Sequence, residues 1–212
     1  MTFSILALDA DTGEIGIAVQ SNELAIGASV PWAKVTAGAF VAQSLGAWNF
    51  GPRALDMLAE GKAPFEVIRS LVEHDQFARF RQLGALSKSG EAATYTGDGC
   101  REWAGAVGGK GYCCLGNSLA GPGVVDQMAA ALLSSAGKLA ERLLAALDAG
   151  QAAGGDKRGM QSAALLVVRE CCGFSGPVDR YIDLRVDDHL SPISELRRIF
   201  ELRQAIIRRW NR

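Results

Sequence analysis

Apolar and polar residues follow two different periods along this chain, and the changes of period divide it into strands and helices. The first apolar runs, Thr2 to Leu8 and Glu14 to Val19, have the length of strands, and Asp11-Thr12-Gly13 lies between them. Glycine tolerates the backbone conformation of a tight turn, so this stretch predicts a β-hairpin. The hairpin would hold Thr2 at the tip of a strand in a central sheet.

Eight further segments are apolar, of strand length and bounded by turn residues: 26–30, 35–45, 83–86, 92–96, 103–107, 112–115, 162–169 and 181–186. Helical spacing of apolar residues recurs over 52–75, 122–149 and 192–211, and the first two segments each predict a pair of helices. Such segregated runs favour α+β layering over alternating β-α-β units. We therefore predict one domain over residues 1–212, a four-layer αββα sandwich with largely antiparallel sheets.

Composition and charge restrict the possible partners. The chain has 22 basic and 23 acidic residues, so no global field attracts nucleic acid or an anionic membrane. No apolar run reaches the roughly 20 residues that span a bilayer. The segment after Met1 lacks a basic region and contains Asp9, Asp11 and Glu14, unlike a signal or transit peptide. These features predict a cytoplasmic protein without nucleic-acid or membrane partners.

The five cysteines do not predict a metal site. Cys100 stands alone, and the others form the vicinal pairs Cys113-Cys114 and Cys171-Cys172. Neighbouring residues on a strand point to opposite faces, so neither pair has the geometry of a CxxC site. We interpret all five as reduced core residues.

An acidic cluster near the C-terminus, Asp187-Asp188-His189 with Asp183, also resembles a set of metal ligands. It immediately precedes the helix predicted from Pro192, where such residues commonly cap and turn the chain. The only other histidine is His74, so a zinc site lacks ligands. We predict a helix-start network here, and neither a metal nor another cofactor.

Several motifs along the chain resemble one known family. They are Thr2-Phe3-Ser4-Ile5, Val30-Pro31-Trp32-Ala33, Trp103-Ala104-Gly105, Gly116-Asn117, the segment 154–164 and the segment 183–189. Together they resemble the family called domain of unknown function 1028, over nearly the whole chain. That family is similar in fold to the N-terminal nucleophile (Ntn) hydrolases, whose αββα sandwich agrees with the layering predicted above. The resemblance supplies no substrate.

The resemblance to Ntn hydrolases directs attention to Thr2. In those enzymes the first residue of the mature chain supplies the nucleophile, and its own α-amine acts as the base. An α-amine has a pKa of about 8, so it can accept a proton near neutral pH. Thr2 fits by position, with removal of Met1 expected before so small a residue. The alternative is that Thr2 merely begins a strand.

The resemblance also implies residues around the nucleophile. Related proteasome-like enzymes carry a lysine shortly after the third strand, which lowers the pKa of the nucleophile, and Lys34 has that position. A solvated surface lysine is the alternative. Those enzymes have an Asp near the end of the second strand, where this chain has Gln20-Ser21-Asn22. Ser21 and Asn22 are candidates for hydrogen bonds to a substrate.

The segment from Gly154 to Ser162 is the loop most typical of a site. Its glycines let the backbone approach a ligand, and its polar residues offer a carboxylate, a guanidinium, an amide and a hydroxyl. We expect the loop to lie beside the end of the first strand. There Arg158 would clamp a substrate carboxylate, Asp156 would orient the amine of the nucleophile, and Gln161 and Ser162 would bind substrate. A purely structural network in which Asp156 pairs with Arg158 is the alternative.

Asn117 follows Gly116 at the end of a predicted strand. Its amide could stabilise an oxyanion, as amide donors do in acyl transfer. The alternative is an ordinary turn residue.

The last predicted helix combines six arginines with more apolar residues than one narrow stripe would hold. The arginines are Arg197, Arg198, Arg203, Arg208, Arg209 and Arg212, and the apolar residues are Leu196, Ile199, Phe200, Leu202, Ile206, Ile207 and Trp210. We predict burial at a subunit interface, and so a homo-oligomer. Nucleic-acid binding is disfavoured because the positive charge is confined to one helix.

Two functions remain open at this point. The first is an amidohydrolase that cleaves a C–N amide bond of a small molecule or short peptide with an N-terminal Thr nucleophile. The second is a catalytically silent Ntn-like protein that binds a ligand or partner through the same cleft.

Overall fold

The computed structural model describes residues 2–170 and 178–210, which contain ten strands and five helices. The strands are β1 (Thr2–Leu8), β2 (Ile15–Ser21), β3 (Pro31–Lys34), β4 (Gly38–Ser44), β5 (Arg81–Ser87), β6 (Ala92–Thr96), β7 (Gly105–Gly109), β8 (Tyr112–Gly116), β9 (Ser162–Val168) and β10 (Arg180–Val186). The helices are α1 (Phe50–Ala59), α2 (Pro64–Val72), α3 (Gly123–Ser134), α4 (Leu139–Ala152) and α5 (Pro192–Trp210). Their order confirms the α+β pattern predicted from the sequence.

Two sheets form the centre of the molecule. The six-stranded sheet has the order β10-β9-β2-β1-β8-β7, and the four-stranded sheet has the order β3-β4-β5-β6. Every pair of hydrogen-bonded strands in them is antiparallel. The predicted first hairpin is present as β1 and β2, which pair in register along their whole length.

Three hydrophobic cores join the sheets and helices into four layers. One core lies between the six-stranded sheet and helices α3, α4 and α5. A second lies between the two sheets. The third lies between the four-stranded sheet and helices α1 and α2. The protein is therefore a four-layer αββα sandwich, as the sequence predicts.

Alternation of side chains along β1 decides what faces the space between the sheets. Phe3 and Ile5 pack against the helices, whereas Leu6 belongs to the core between the sheets. Thr2 and Ser4 share the face of Leu6, because successive side chains on a strand point to opposite sides. The polar start of β1 is thus directed toward the four-stranded sheet.

The segment 26–30 differs from its predicted strand. It contains a short 3₁₀ turn, Ile26–Ala28, and β3 follows it. Ala25, before the turn, has a left-handed backbone with φ 53°. The hydroxyl oxygen of Ser162 accepts the backbone N–H of Ile26 at 3.1 Å. A backbone N–H of this segment is therefore hydrogen-bonded to a side chain that is distant in the sequence. The apolar pattern of the segment itself does not reveal this bond.

Cys113 and Cys114 point to opposite faces of β8, as predicted. Cys113 belongs to the core between the sheets and Cys114 to the core beneath the helices. Cys100, Cys113 and Cys114 are free and buried. Burial raises the pKa of the Cys113 thiol to about 12, so this thiol stays protonated near neutral pH. The pair Cys171-Cys172 lies outside the described residues.

The acidic cluster near the C-terminus forms local contacts. Asp183 pairs with Arg180 and Arg185. The Nδ1 atom of His189 accepts the N–H of Ser191 at 2.9 Å, one residue before α5. Across residues 2–170 and 178–210, no three His, Cys, Asp or Glu side chains come together in a group that could hold a metal ion.

Helix α5 packs on β9 and β10 through Leu196 and Phe200. Leu202 and Ile206 on the same helix are exposed, at 52% and 44%. A homo-oligomer through this helix stays a prediction, as do the single domain and the cytoplasmic location. No helix within the described part of the chain is long and apolar enough to cross a membrane.

Candidate functional site

Four polar residues form a row across the six-stranded sheet, at the end of the sheet where β1 and β9 begin and β2 ends. Thr2 of β1 is paired with Ser21 of β2, and Ser21 is paired with Ser162 of β9. Asn117 continues the row beyond β8, where its N–H donates to the carbonyl oxygen of Thr2 at 3.1 Å. All four residues are buried. The hydroxyl oxygens of Thr2 and Ser21 are 3.1 Å apart, within hydrogen-bond distance.

Gln43, on β4 of the opposite sheet, ties the two sheets together at this row. Its Oε1 accepts the hydroxyl of Ser4 at 2.6 Å. Its Nε2 donates to the carbonyl oxygen of Thr2 at 3.3 Å and to Oε1 of Gln82 at 2.9 Å. The backbone of the first strand is therefore held from the facing sheet as well as by its neighbours.

Gln82 of β5 is the second amide of this network. Its Nε2 donates to the carbonyl oxygens of Gly116 and Gly105, at 2.7 and 3.2 Å, and to Oγ1 of Thr96 at 3.0 Å. Its Oε1 accepts Nδ2 of Asn117 at 2.9 Å. The side chain of Asn117 is therefore oriented by Gln82, and not by a turn of its own.

The loop from 154 to 162 lies beside this row, as predicted. The N–H of Gln161 donates to the carbonyl oxygen of Ser21 at 2.9 Å. Asp156 forms a bridge to Leu119, two residues beyond Asn117. The topology thus brings the loop to Ser21 and Asn117, on either side of Thr2 in the sheet.

Asp156 has partners other than the amine of residue 2. Its side chain accepts the backbone N–H of Arg158 at 2.8 Å and pairs with the Arg158 guanidinium at 3.1 Å. It also accepts the N–H of Asn22 at 3.4 Å. This arrangement matches the structural alternative for the loop, in which Asp156 holds Arg158. The side chain of Arg158 is 31% exposed, and its guanidinium is also 3.7 Å from the carboxylate of Glu23.

Gln161 and Ser162 also make internal contacts. The hydroxyl of Ser162 donates to the carbonyl oxygen of Glu23 and accepts the N–H of Ile26, so it shapes the turn after β2. The side-chain amide of Gln161 donates to Asp188 at 3.2 Å. These bonds connect the loop to its neighbours and occupy the groups expected to bind substrate.

The structure does not bring Lys34 to the polar row. Lys34 is paired with Gly38 at the start of β4, whereas the residue of β4 that contacts Thr2 is Gln43, near its end. Five residues of an extended strand span about 16 Å. The exposed Lys34 side chain instead lines a separate cavity of about 690 Å³. The register of β3 and β4 decides this position.

A cavity of about 610 Å³ opens at the polar row. Its lining combines charged, polar and aromatic side chains: Glu23, Ser44, Leu45, Phe77, Phe80, Gly99, Arg101, Asn117 and Arg158. Thr2 does not belong to the described lining and is only 2% exposed. The backbone carbonyl oxygen of Thr2 nevertheless accepts a hydrogen bond from the N–H of Asn117, and Asn117 does line the cavity.

The ion pair of Asp75 and Arg81 supports the wall of this cavity. Arg81 donates to Asp75 at 2.8 Å and to the carbonyl oxygens of Leu45 and Gly46, each at 2.7 Å. Both charged side chains are about nine-tenths buried, being 10% and 11% exposed. The hydrogen bond from Arg81 lowers the pKa of Asp75 below its ordinary value of 3.8, against the opposing effect of burial.

Backbone strain is concentrated near the same cavity. Ser44 and Ser118 have φ values of 70° and 54°, in the left-handed region that non-glycine residues rarely adopt. Ser44 lines the cavity, and Ser118 follows the lining residue Asn117. Strain of this kind is typical of ligand sites, where the surrounding structure imposes it.

The sequence did not identify several residues of the site. Gln43 and Gln82 are polar residues next to the apolar cores of their strands, β4 and β5, and both are fully or almost fully buried. Their position inside a strand is the signal that could have found them. Phe77 and Phe80 lie in the connection from α2 to β5, and Arg101 lies in the connection from β6 to β7, so they carry no such signal.

The layering and the polar row define the class of protein: a four-layer αββα sandwich whose first strand begins with a hydroxyl residue. The chain belongs to the family of unknown function DUF1028, whose model matches residues 2–196. The resemblance inferred from the sequence motifs is thereby confirmed. No curated protein matches the sequence.

Two solved structures are similar to this chain. One is the crystal structure of protein SPO2555 from Silicibacter pomeroyi, a DUF1028 protein, with 32% identity and a TM-score of 0.85 over 94% of this chain and 88% of that chain. The other is Anbu (ancestral beta-subunit) from Yersinia bercovieri, with 11% identity and a TM-score of 0.38 over 97% of this chain and 96% of that chain. The likeness to Anbu is too distant to bear on the function of this chain.

Proposed function

We propose that this protein is an Ntn-type amidohydrolase that cleaves a C–N amide bond of a small molecule or short peptide, with Thr2 as its N-terminal nucleophile. The observation that carries the proposal is the position of the Thr2 hydroxyl, 3.1 Å from the Ser21 hydroxyl at the polar row beside the cavity. The backbone of Thr2 is fixed by Asn117 and Gln43. A hydroxyl held in this way supports the proposed role, because a nucleophile needs a fixed position.

The reaction needs the α-amine of Thr2, which exists only in a chain that begins at this residue. The amine takes the proton of the Thr2 hydroxyl while the oxygen attacks the amide carbon. The C–N bond then breaks, the proton passes to the leaving amine, and an acyl ester of Thr2 remains. Water, deprotonated by the same α-amine, hydrolyses the ester and regenerates the hydroxyl.

Residues around Thr2 have supporting roles in this proposal. Ser21 orients the nucleophilic hydroxyl through their 3.1 Å contact. Arg158 lines the cavity, held by Asp156 at 3.1 Å and by Glu23 at 3.7 Å, and its role in this proposal is to meet a carboxylate of the substrate there. Asn22 lies at the turn joined to Asp156 and keeps this loop against β2. Asp156 acts in this proposal as a positioning residue for Arg158, and its role in orienting the Thr2 amine stays a prediction.

The second candidate function is ligand binding without catalysis, through the same cavity. One observation favours it: Thr2 is only 2% exposed and lies outside the described lining. A ligand in the cavity would then contact Asn117 and Arg158 but not the hydroxyl. The two candidates differ in whether an electrophile placed in the cavity reacts with Thr2.

Covalent labelling separates the candidates. Purified chain, with its first residue established by intact mass, is incubated with an electrophilic β-lactone, and the adduct is located by peptide mapping. Attack by the Thr2 hydroxyl opens the ring to an ester and adds the full mass of the lactone. We expect one adduct, on Thr2, in chains that begin at Thr2.

Three variants control the labelling. Thr2→Ala should lose the adduct, and Thr2→Ser should keep it because the hydroxyl remains. Thr12→Ala removes an exposed hydroxyl in the first turn and should change nothing. A chain that begins at Thr2 and stays unlabelled would support the binding protein and refute the hydrolase.

A further inference from the structure

The carbonyl oxygen of the Asn117 side chain is a buried acceptor without a partner among the described residues. Asn117 is 1% exposed and lines the cavity of about 610 Å³. Buried polar atoms are nearly always hydrogen-bonded, and leaving an acceptor unpaired destabilises the fold. An unpaired acceptor in the wall of an open cavity is therefore a candidate contact for a ligand that carries an N–H.

The surrounding amides fix which atom of Asn117 is unpaired. Gln82 directs its Nε2 at the carbonyl oxygens of Gly116 and Gly105, which can only accept. Its Oε1 must therefore face Asn117 and Gln43, and each of these donates an N–H to it, at 2.9 Å. Exchanging the O and N atoms of Asn117 would place two acceptors together. The network thus presents Asn117 Oδ1 as an acceptor.

The role of Asn117 as a donor to an oxyanion, expected from the sequence, stays a prediction, because its Nδ2 gives one N–H to Gln82 and carries a second. The carbonyl oxygen without a partner is a separate feature of the same side chain. The residue is therefore suited to recognising an N–H of the ligand.

The other residues that line the cavity indicate which further chemical groups the ligand carries. The lining includes two guanidiniums, those of Arg101 and Arg158. The charge of Arg158 is matched by ion pairs with Asp156 at 3.1 Å and Glu23 at 3.7 Å. Arg101 is exposed, so its charge is available at the cavity mouth. The aromatic rings of Phe77 and Phe80, 45% and 41% exposed, provide an apolar wall. The charge of Arg101 and the aromatic wall favour an anionic ligand with an apolar side chain.

We infer that the cavity binds an N-acylated amino acid or short peptide with a free carboxylate. The amide N–H donates to Asn117 Oδ1, the carboxylate lies against Arg101, and the apolar side chain packs on Phe77 and Phe80. This inference names the substrate class of the proposed hydrolase and rests on that function for its chemistry. Binding itself does not require the Thr2 hydroxyl.

The test therefore measures binding without turnover. Thr2→Ala chain is titrated by calorimetry with N-acetyl-L-phenylalanine, with its N-methyl analogue, which lacks the N–H, and with its methyl ester, which lacks the negative charge. We expect saturable millimolar or tighter binding of the acid. Binding should be about tenfold weaker for the N-methyl analogue, which loses a hydrogen bond to a buried acceptor, and about threefold weaker for the ester, which loses an ion pair with the exposed Arg101.

Variants assign these losses to residues. Arg101→Gln should remove most of the preference for the acid over its ester, whereas the control Arg53→Gln, an exposed residue of α1 outside the described lining, should keep it. Asn117→Ala should abolish the preference for N–H over N-methyl. If that variant does not fold, the comparison of the two ligands decides the point alone.

Each failure has a distinct meaning. Equal binding of the acid and its N-methyl analogue would overturn the role of Asn117, with water then satisfying its oxygen. Equal binding of the acid and its ester would overturn the carboxylate contact. No saturable binding of the acid, in a protein whose Thr2 is labelled by the β-lactone, would overturn this ligand class and leave the hydrolase intact. Specific binding by a protein that is never labelled would refute the hydrolase alone.

Discussion

The side chain of Asp156 accepts the backbone N–H of Asn22 at 3.4 Å, although 134 residues separate them. The same carboxylate holds Arg158 by its backbone N–H and its guanidinium. Its side chain is fully buried, so these contacts replace the water that an ionised carboxylate would otherwise bind. This one residue therefore keeps the loop from 154 to 162 against the turn after β2.

Asp156→Asn should weaken the fold and release Arg158. The amide has one acceptor in place of two and directs an N–H at donors, so we expect a loss of about 2 kcal/mol in the free energy of unfolding. Urea denaturation measures this loss. Asp98→Asn is the matched control, because Asp98 is 81% exposed in its pair with Arg79 and should cost less than about 1 kcal/mol. Equal effects of the two substitutions would contradict the anchoring role of Asp156.

Gly51→Ala should destabilise the protein even though alanine is the better helix former. A Cβ atom at Gly51, in α1, would lie 2.2 Å from the ring of Trp32. The ring would have to shift away from the helix to avoid this clash. We expect a cost of about 1–3 kcal/mol, as for other overpacked sites. The lowered thermal midpoint measures it.

The control for this substitution is Gly123→Ala, also in a first helical turn. Gly123 is exposed, and a Cβ atom there meets nothing within 4 Å. Its effect should stay within about 0.5 kcal/mol and favour the folded chain. A stabilising Gly51→Ala would mean that Trp32 does not pack on α1.

The ion pair of Asp75 and Arg81 should make the stability of the folded protein depend on pH. The pKa of Asp75 is lowered in the folded state, chiefly by its hydrogen bond with Arg81, so folding favours the ionised form. Its stabilisation is fully present above the ordinary value of 3.8 and is lost as the pH falls through the lower folded value. Asp75→Asn should therefore lower the thermal midpoint at pH 7 but lose most of this deficit in strong acid.

Melting curves from pH 7 to pH 2 check this dependence. Asp126→Asn, an exposed substitution on α3, should run parallel to the unchanged protein over the same range. If the thermal midpoint of Asp75→Asn stays below that of the unchanged protein by the same amount down to the lowest pH, the ionised carboxylate of Asp75 does not contribute to stability.

The elements that could be predicted from the sequence are those whose packing follows from local periodicity. The β1–β2 hairpin and helices α1 to α4 have apolar positions at the spacing of their own structure, so their layers could be inferred. The segment 26–30 could not, because its turn depends on a hydroxyl 136 residues away, that of Ser162. Local pattern carries no information about such a bond.

The site was predictable in part for a similar reason. The loop containing Asp156 and Arg158 was identified because polar groups cluster in sequence, and it does lie at the row of Thr2. Lys34 was misplaced because its distance from Thr2 depends on the register of β3 and β4, which sequence position alone does not fix. Gln43 and Gln82 are single residues whose importance appears only when the two sheets face each other.

Gln82→Glu should destabilise the protein, and the loss of stability should grow as the pH rises. This dependence is opposite to that of the Asp75 contribution, which is lost as the pH falls. In the folded state one carboxyl oxygen would replace Nε2, which donates to the carbonyl oxygens of Gly116 and Gly105. An ionised oxygen there would face two acceptors in a fully buried place, so the folded state should favour the protonated acid and raise its pKa. The protonated acid keeps one donor for this position.

The sign of the effect follows from that raised pKa. Below the unfolded value of about 4.3 the glutamic acid is protonated in both states and the variant is closest to the unchanged protein. As the pH rises through that value, the unfolded chain releases the proton and the folded chain retains it, so the variant loses stability until the folded pKa is passed. Gln127→Glu, on the exposed face of α3, is the control and should show no such loss. A Gln82→Glu chain whose thermal midpoint stays level with that of the control between pH 4 and pH 8 would show that Gln82 Nε2 is not required as a donor, and the fixed orientation of Asn117 would no longer follow.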